Sequence, residues 1–220
     1  MKKFIKKNYP NLFFFLKKIK NFLVFLLYIL PIKLKILNKS LKKRDLKLVI
    51  GSAGIKNAGW LNSNIELIDL TNFNSFKFFF SPNSINRILC EHVFEHLTLD
   101  DALISAKNIY HFLKPNGFIR VAVPDGFHPD PDYINWVRPN GVGDGADDHK
   151  ILYNYLTIAK VFKDSGFKVR FLEYFDEKGF FHYNQWNPED GFVLRSRNYD
   201  NRNIDGKINY SSIIIDAIKL

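Results

Sequence analysis

Residues 85–125 read INRILCEHVFEHLTLDDALISAKNIYHFLKPNGFIRVAVPD, and this stretch decides the fold. The apolar runs Ile85–Cys90 and Phe118–Val123 have the length and composition of buried strands. An amphipathic helical pattern and a Pro-Asn-Gly turn lie between them. Strand, crossover helix and strand form a βαβ unit, whose two strands must be parallel. Ligands bind at the carboxyl ends of such strands, so the polar elbow Glu91–His96 is predicted to carry chemistry.

A second strand end lies forty residues earlier. The apolar run Leu46–Ile50 leads into Gly51, Ser52, Ala53 and Gly54. Small residues after a first strand allow the backbone to approach a ligand closely, and glycine adopts positive φ without penalty. Taken alone, the segment is also compatible with an ordinary tight turn.

Five motifs occur in one order along the chain: Gly51-Ser52-Ala53-Gly54, Gly59-Trp60-Leu61-Asn62, the elbow EHVFEHL at 91–97, FLKPNG at 112–117 and RVAVPD at 120–125. The set resembles the class I S-adenosylmethionine-dependent methyltransferases, in particular a bacterial branch with GWxN and EHVxEHL motifs. The resemblance covers residues 46–220. It implies an α/β fold with a Rossmann-like, seven-stranded, mostly parallel sheet and helices on both faces. One strand is expected to be antiparallel, the final one at Ser211–Lys219, beside the strand Lys168–Tyr174.

The resemblance also implies S-adenosyl-L-methionine as cofactor. Gly51, Ser52, Ala53 and Gly54 would provide the close backbone approach. Asn64 stands where the family usually has an acid for the ribose hydroxyls, and Glu66 on the same strand face could replace it. Asp69 and Leu70 would lie near the adenine, although Asp69 could instead cap a helix. Glu91 and His92 would meet the methionine end or the acceptor.

Two positions depart from the family pattern: Ala53 stands where a glycine is usual, and Asn64 where an acid is usual. They leave an alternative open, a catalytically degenerate methyltransferase-fold protein that serves as a scaffold. Methyl transfer needs mainly alignment, and a base only for a poor nucleophile. The candidates for this catalytic role are His96, His149 and Asp148. His149 and Asp148 lie in a long loop rich in Gly, Pro and Asp, and such loops are usually functional. The competing interpretations are a helix cap at Asp147 or Asp148 and a structural His96.

Two patterns raise the question of a metal. The segment His92–His96 fits H-x-x-E-H, the motif of some zinc hydrolases, but it begins at the tip of a strand rather than inside a long helix. A group comprising His128, Asp147, Asp148 and His149 could bind a divalent ion. Their spacing does not require one, and no metal is assigned.

The charge is distributed unevenly. Residues 1–47 carry 14 basic and 1 acidic side chains, a net charge of +13, whereas the remaining residues carry 18 and 21, a net charge of −3. A nucleic-acid enzyme usually presents positive charge on its catalytic face, so nucleic acid is not expected as the acceptor. A small-molecule, glycan or lipid-linked hydroxyl or carboxylate compound is expected instead. The single cysteine, Cys90, fits a reduced, cytoplasmic compartment.

Residues 1–45 form a basic and hydrophobic extension, separate from a domain at 46–220. Apolar runs at Leu12–Leu16 and Phe22–Leu30 are flanked by lysines, and Pro31 is predicted to end the helix. The pattern favours a helix lying in the plane of an anionic membrane surface, which would make the protein peripheral on the inner face of the membrane. The alternatives are packing on the domain, a homodimer contact, and a spanning segment, for which the apolar run is short.

Overall fold

A computed structural model describes residues 9–41, 45–51, 58–63, 65 and 67–220. The chain divides into two compact units, Met1–Arg44 and Asp45–Leu220. Residues 1–8 and 42–44 of the basic extension lie outside the described residues, as do 52–54, Asn64 and Glu66 of the predicted cofactor site.

The first unit is helical, with α1 at Pro10–Val24, a π-helical turn at Phe25–Ile29 and α2 at Leu30–Leu41. The prediction that Pro31 ends the helix is wrong. The N–H of Leu30 donates to the carbonyl of Phe25 across the wide turn, and Pro31 follows in the first turn of α2, where its missing N–H is tolerated. Among the described residues, no helix has both the length and the hydropathy that a membrane crossing requires.

The second unit is an α/β domain. Its strands are β1 Lys47–Ile50, β2 Leu61–Ser63, β3 Ile85–Glu91, β4 Leu113–Pro124, β5 Lys168–Phe175, β6 Phe181–Tyr183 and β7 Ser212–Ile218. Its α-helices are α3 Phe73–Phe79, α4 Leu99–Phe112, α5 Pro131–Val137 and α6 Tyr155–Asp164.

The strands form one mixed sheet in the order β2-β1-β3-β4-β7-β5-β6. The predicted α/β class is confirmed, and β7 is antiparallel beside β5 as expected. The prediction that all other strands are parallel is wrong, because β6 also pairs antiparallel with β5. The reason is local: only the turn Asp176–Phe180 separates the two strands, and so short a connection can join only antiparallel neighbours. Three neighbouring strand pairs are therefore parallel and three antiparallel.

The two faces of the sheet are covered differently. Helices α4 and α6 pack against each other over one face. On the other face, Trp186 and Val193 pack on Val49, Leu89 and Ile214, with Trp60 against the same cluster. Within the described residues, this second face is covered by an irregular segment with one short 3₁₀ turn, although helices were expected on both faces.

A buried ion pair holds that irregular segment in place. Arg120 on β4 donates from Nε and Nη2 to the Asp216 carboxylate on β7, at 2.8 and 3.0 Å. Its Nη1 donates to the carbonyls of Asn187 and Gly191, at 2.9 and 2.8 Å. Arg120 and Asp216 are both 0% exposed, and Arg170 is a second partner of the same carboxylate.

Candidate functional site

The sheet has a topological switch point between β1 and β3. From β1 the chain turns to β2 on one side, and it returns to β3 on the other. Ile50 and Cys90 are register partners, so the carboxyl ends of the two strands lie side by side. Open sheets of this kind bind ligands in the crevice at such a point. Gly51 and the elbow after Glu91 are the residues that form its edges.

Gly51 has a backbone conformation that favours glycine. Its φ is +70°, and a Cβ added there would lie 2.3 Å from Cγ2 of Val93 on the elbow. The first loop and the elbow are therefore in direct contact at the switch point. A larger residue at this position would force both apart.

The Asp69 carboxylate stabilises a turn. Its Oδ1 accepts hydrogen bonds from the N–H and the hydroxyl of Thr71, at 2.9 and 2.7 Å, just before α3. Leu70 is buried, and its carbonyl accepts a hydrogen bond from Asn108 on α4 at 2.9 Å. Leu70 thus connects this segment to the helical layer. The capping interpretation of Asp69 is wrong, because Asn72 is the N-cap of α3 and accepts the N–H of Asn74.

Glu91 anchors a distant segment. Its carboxylate accepts backbone N–H groups of Leu194 and Arg195, at 3.2 and 2.8 Å, and Nη1 of Arg195 lies 3.6 Å away. Both oxygens are thereby engaged within the protein. Glu91, which was predicted to bind the cofactor, thus holds residues 194–195 at the end of β3.

His92 is held on two sides. It has a positive φ of 53°, its Nε2 is 3.0 Å from the Ser212 hydroxyl, and its Nδ1 is 3.1 Å from Oε1 of Glu95. The elbow continues as a 3₁₀ turn at Phe94–His96, not as an α-helix. His92 and His96 therefore do not share a helical face, which removes the basis of the H-x-x-E-H hydrolase interpretation.

The structure brings His96, Asp148 and His149 together. Nδ1 of His96 is 3.3 Å from Oδ2 of Asp148, and the rings of His96 and His149 meet edge to face at a centroid distance of 4.8 Å. The long loop is fastened to the elbow because the N–H groups of Lys150 and Ile151 both donate to the Glu95 carbonyl, at 2.7 and 3.2 Å. The assignment of His96, Asp148 and His149 as catalytic residues stays a prediction.

The electrostatics of this loop depend on Lys150. A hydrogen bond from its ammonium at 2.9 Å, with the associated charge and that of nearby His96, lowers the pKa of Asp148 below its usual value. The alternative interpretation of Asp147 or Asp148 as a helix cap is wrong. Helix α6 begins only at Tyr155, and Asn154 caps it by accepting the N–H of Thr157.

A cavity of about 410 Å³ lies beyond the elbow. It is lined by His92, by Trp136 and Val137 of α5, by the loop residues Gly143, Asp144, Ala146 and His149, and by Leu194, Arg195, Tyr199, Asp200, Asn201, Arg202 and Tyr210. Arg202 pairs with the Asp200 carboxylate and lies 3.3 Å from the centroid of the Tyr210 ring. The sequence analysis missed these residues, although Arg195, Arg197 and Arg202 form a basic cluster in an otherwise acidic domain.

His128 lies apart from this group. It is buried and stacks on Tyr133 at a centroid distance of 3.9 Å, and its Nδ1 accepts the N–H of Asp130. Among the described residues, the group of His, Cys, Asp and Glu side chains arranged to hold a metal ion consists of Glu95, His96 and His149. The suggested group of His128, Asp147, Asp148 and His149 does not form.

Comparisons with known proteins give structural likeness only. No family model and no curated protein matches the sequence. Among solved structures, a SAM-dependent methyltransferase from Archaeoglobus fulgidus is 16% identical, with a TM-score of 0.45 over 85% of this chain and 91% of its own. One from Mesorhizobium loti is 11% identical, with a TM-score of 0.44 over 79% and 90%.

A third similar structure is phosphoethanolamine N-methyltransferase 2 of Haemonchus contortus in complex with S-adenosyl-L-methionine. It is 13% identical, with a TM-score of 0.42 over 85% of this chain and 51% of its own. At these values the likeness carries no weight for activity, which depends on the site.

Proposed function

We propose that residues 46–220 form an S-adenosylmethionine-dependent methyltransferase for a small-molecule, glycan or lipid-linked acceptor. The observation that supports it is the switch point. Gly51 at φ +70° and the elbow after Glu91 end two adjacent parallel strands, and a cavity of about 410 Å³ lies beyond the elbow. A cofactor over Gly51 and an acceptor in the cavity would then share one edge of the sheet.

The described residues fit the cofactor at two positions. Gly51 follows β1 at a φ of +70°, a conformation that favours glycine, and the loop 52–54 would continue from it toward the cofactor. Asn62 of the GWxN motif has a buried amide oxygen that accepts no hydrogen bond from the described residues, so it is a candidate acceptor for a ribose hydroxyl beside Asn64 and Glu66. When bound, S-adenosylmethionine supplies an electrophilic methyl group.

His149 is the proposed general base. Its Nδ1 is 2.7 Å from the carbonyl of Val137, an acceptor, so Nδ1 carries the proton and the Nε2 lone pair is available. His149 also lines the cavity. It would take the proton of an acceptor hydroxyl during methyl transfer, while the Val137 carbonyl and the His96 ring hold the imidazole in place.

The N-terminal extension, residues 1–45, supports an acceptor at a membrane surface. Large apolar side chains of the helical unit are exposed, with Phe14 57%, Phe22 61% and Leu27 65% exposed. Together with the charge of +13 on residues 1–47, this is the pattern of an interfacial anchor on anionic lipid. A cytoplasmic enzyme held there would lie close to lipid-linked glycans.

Calorimetry with S-adenosylmethionine and its demethylated product tests the cofactor. Saturable heat with either ligand supports the proposal. No heat and no thermal shift at millimolar ligand would favour the scaffold alternative.

Comparison of metabolites between parent and deletion strains, with a loss of about 14 Da per methyl group, then identifies the acceptor class. Methylated nucleic acid as the only change would contradict it.

A further inference from the structure

A buried carboxylate in the elbow accepts no hydrogen bond from the described residues. Glu95 is 0% exposed, and within the described part of the chain neither of its carboxylate oxygens accepts a hydrogen bond. His92 is the nearest basic group, 3.1 Å from Oε1, but outside hydrogen-bonding geometry. A buried carboxylate requires a cation, a proton or ordered water, because its desolvation is otherwise uncompensated.

Two imidazoles lie close to Glu95, and each has an acceptor next to its Nδ1. Nδ1 of His96 lies 3.3 Å from the Asp148 carboxylate, and Nδ1 of His149 lies 2.7 Å from the Val137 carbonyl. These partners place the proton on Nδ1 and leave Nε2 as the donor atom. A carboxylate or carbonyl behind each ring is the usual outer contact of a metal-bound histidine.

We propose that Glu95, His96 and His149 bind a divalent transition-metal ion, with Zn²⁺ the best match. One donor atom from each lies within 4.8 Å of the others. When two donor atoms each lie about 2.1 Å from one metal ion, they are about 3–4 Å from each other. Each side chain therefore needs to move by about 1 Å or less. Two imidazoles and one carboxylate suit Zn²⁺, and they leave a coordination position open.

The site differs from the H-x-x-E-H motif, because His92 is not part of it and His149 comes from a different segment. Binding of the ion does not rest on the proposed methyltransferase activity. Since His149 also lines the cavity, an oxygen of a bound molecule could take the open position. With the ion bound, His149 would be a ligand rather than a base, and the ion would supply Lewis-acid activation of the acceptor hydroxyl in its place.

Zinc titration of the tag-free, full-length protein, stripped with a chelator and without cofactor, tests the proposal. We expect one Zn²⁺ per chain, and at least about 100-fold weaker binding in His96→Ala and His149→Ala. His111→Ala is the matched control, because this exposed histidine on α4 contacts Phe73 and lies outside the group. It should bind zinc as the parent protein does.

Asp148→Asn provides a test that does not threaten folding, because the Asp148 side chain is 65% exposed. Asparagine keeps an acceptor oxygen but removes the negative charge behind His96, and this loss should weaken zinc binding by about 10- to 100-fold. Visible d–d absorption of the Co²⁺-loaded protein should report the two imidazoles and disappear in His149→Ala. Zinc binding by the parent no tighter than by the His96 and His149 variants would overturn the proposal and leave water or a proton at Glu95.

Discussion

At the scale of the residue, Gly51 is the position where the first loop and the elbow meet. Alanine there would both occupy positive φ and place its Cβ 2.3 Å from Val93. The conformational cost is about 1 kcal/mol, and the contact adds to it. We expect Gly51→Ala to lower the free energy of unfolding by about 2–3 kcal/mol and to weaken cofactor binding at least 10-fold.

Gly206→Ala is the matched control for this prediction. Its φ is +73°, and a Cβ there meets no described atom within 4 Å. Gly206→Ala should lower the free energy of unfolding by the conformational cost alone. Urea unfolding and calorimetry compare the two variants. Equal effects of both would mean that the contact with Val93 does not matter, whereas Val93→Ala in the Gly51→Ala background should restore part of the loss.

His128 predicts a pH dependence of stability. Burial lowers its pKa from 6.5 to about 4, against the weaker opposing charge of Asp130 and a backbone hydrogen bond. The folded protein thus binds fewer protons than the unfolded chain between these values. The stability from His128 is fully present above pH 6.5 and is lost as the pH falls toward 4.

The measurement is urea unfolding of the parent and of His128→Asn at pH 7, 5.5 and 4.5. The stability advantage of the parent should fall by roughly 2–3 kcal/mol over this range. A difference independent of pH would contradict the prediction. Asp125 acts in the opposite direction, since burial raises its pKa to about 6, but this contribution is common to both proteins and cancels.

At the scale of the element, the Arg120–Asp216 pair joins β4, β7 and the segment that covers the second face. Both groups are buried, so removal of one leaves the other as an uncompensated charge. We expect Asp216→Asn to lower the free energy of unfolding by about 3–5 kcal/mol, measured by urea unfolding.

The double variant Arg120→Met/Asp216→Leu separates the charge from the packing. It should be less destabilised than Asp216→Asn, because no buried charge remains. Lys160→Met, in an exposed pair with Asp164 on α6, should have little effect. Strictly additive losses in the double variant would show that the two side chains act independently.

At the scale of the whole molecule, the two units predict a separable membrane anchor. The full-length protein should sediment with anionic vesicles, and a chain beginning at Arg44 should not. Salt should weaken binding, because screening at a Debye length of about 8 Å removes long-range attraction. Binding should persist, since apolar side chains such as Phe22 and Leu26 contribute a salt-independent gain of roughly 1.5–3 kcal/mol each when fully buried.

The alternative for residues 1–45 gives a different result in the same preparations. If the segment is a subunit contact, the full-length protein stays in the supernatant with vesicles, and truncation converts a dimer to a monomer in sedimentation. That outcome would contradict the anchor.

The sequence by itself determined the strands β1, β3, β4, β5 and β7 and the helix between β3 and β4, because hydrophobic periodicity is a local property. It also located the elbow and the glycine at the switch point. It misjudged Pro31 and the number of antiparallel strands, where one wide turn and one short hairpin decided the outcome.

Only the tertiary structure decided what the polar side chains contact. Glu91, predicted to bind the cofactor, accepts N–H groups from residues more than 100 positions away. His149 reaches His96 because Lys150 and Ile151 donate to one carbonyl of the elbow, a contact that no periodicity encodes. The buried Glu95 beside two imidazoles arises in the same way, since long-range hydrogen bonds, rather than local preference, set the distances within a site.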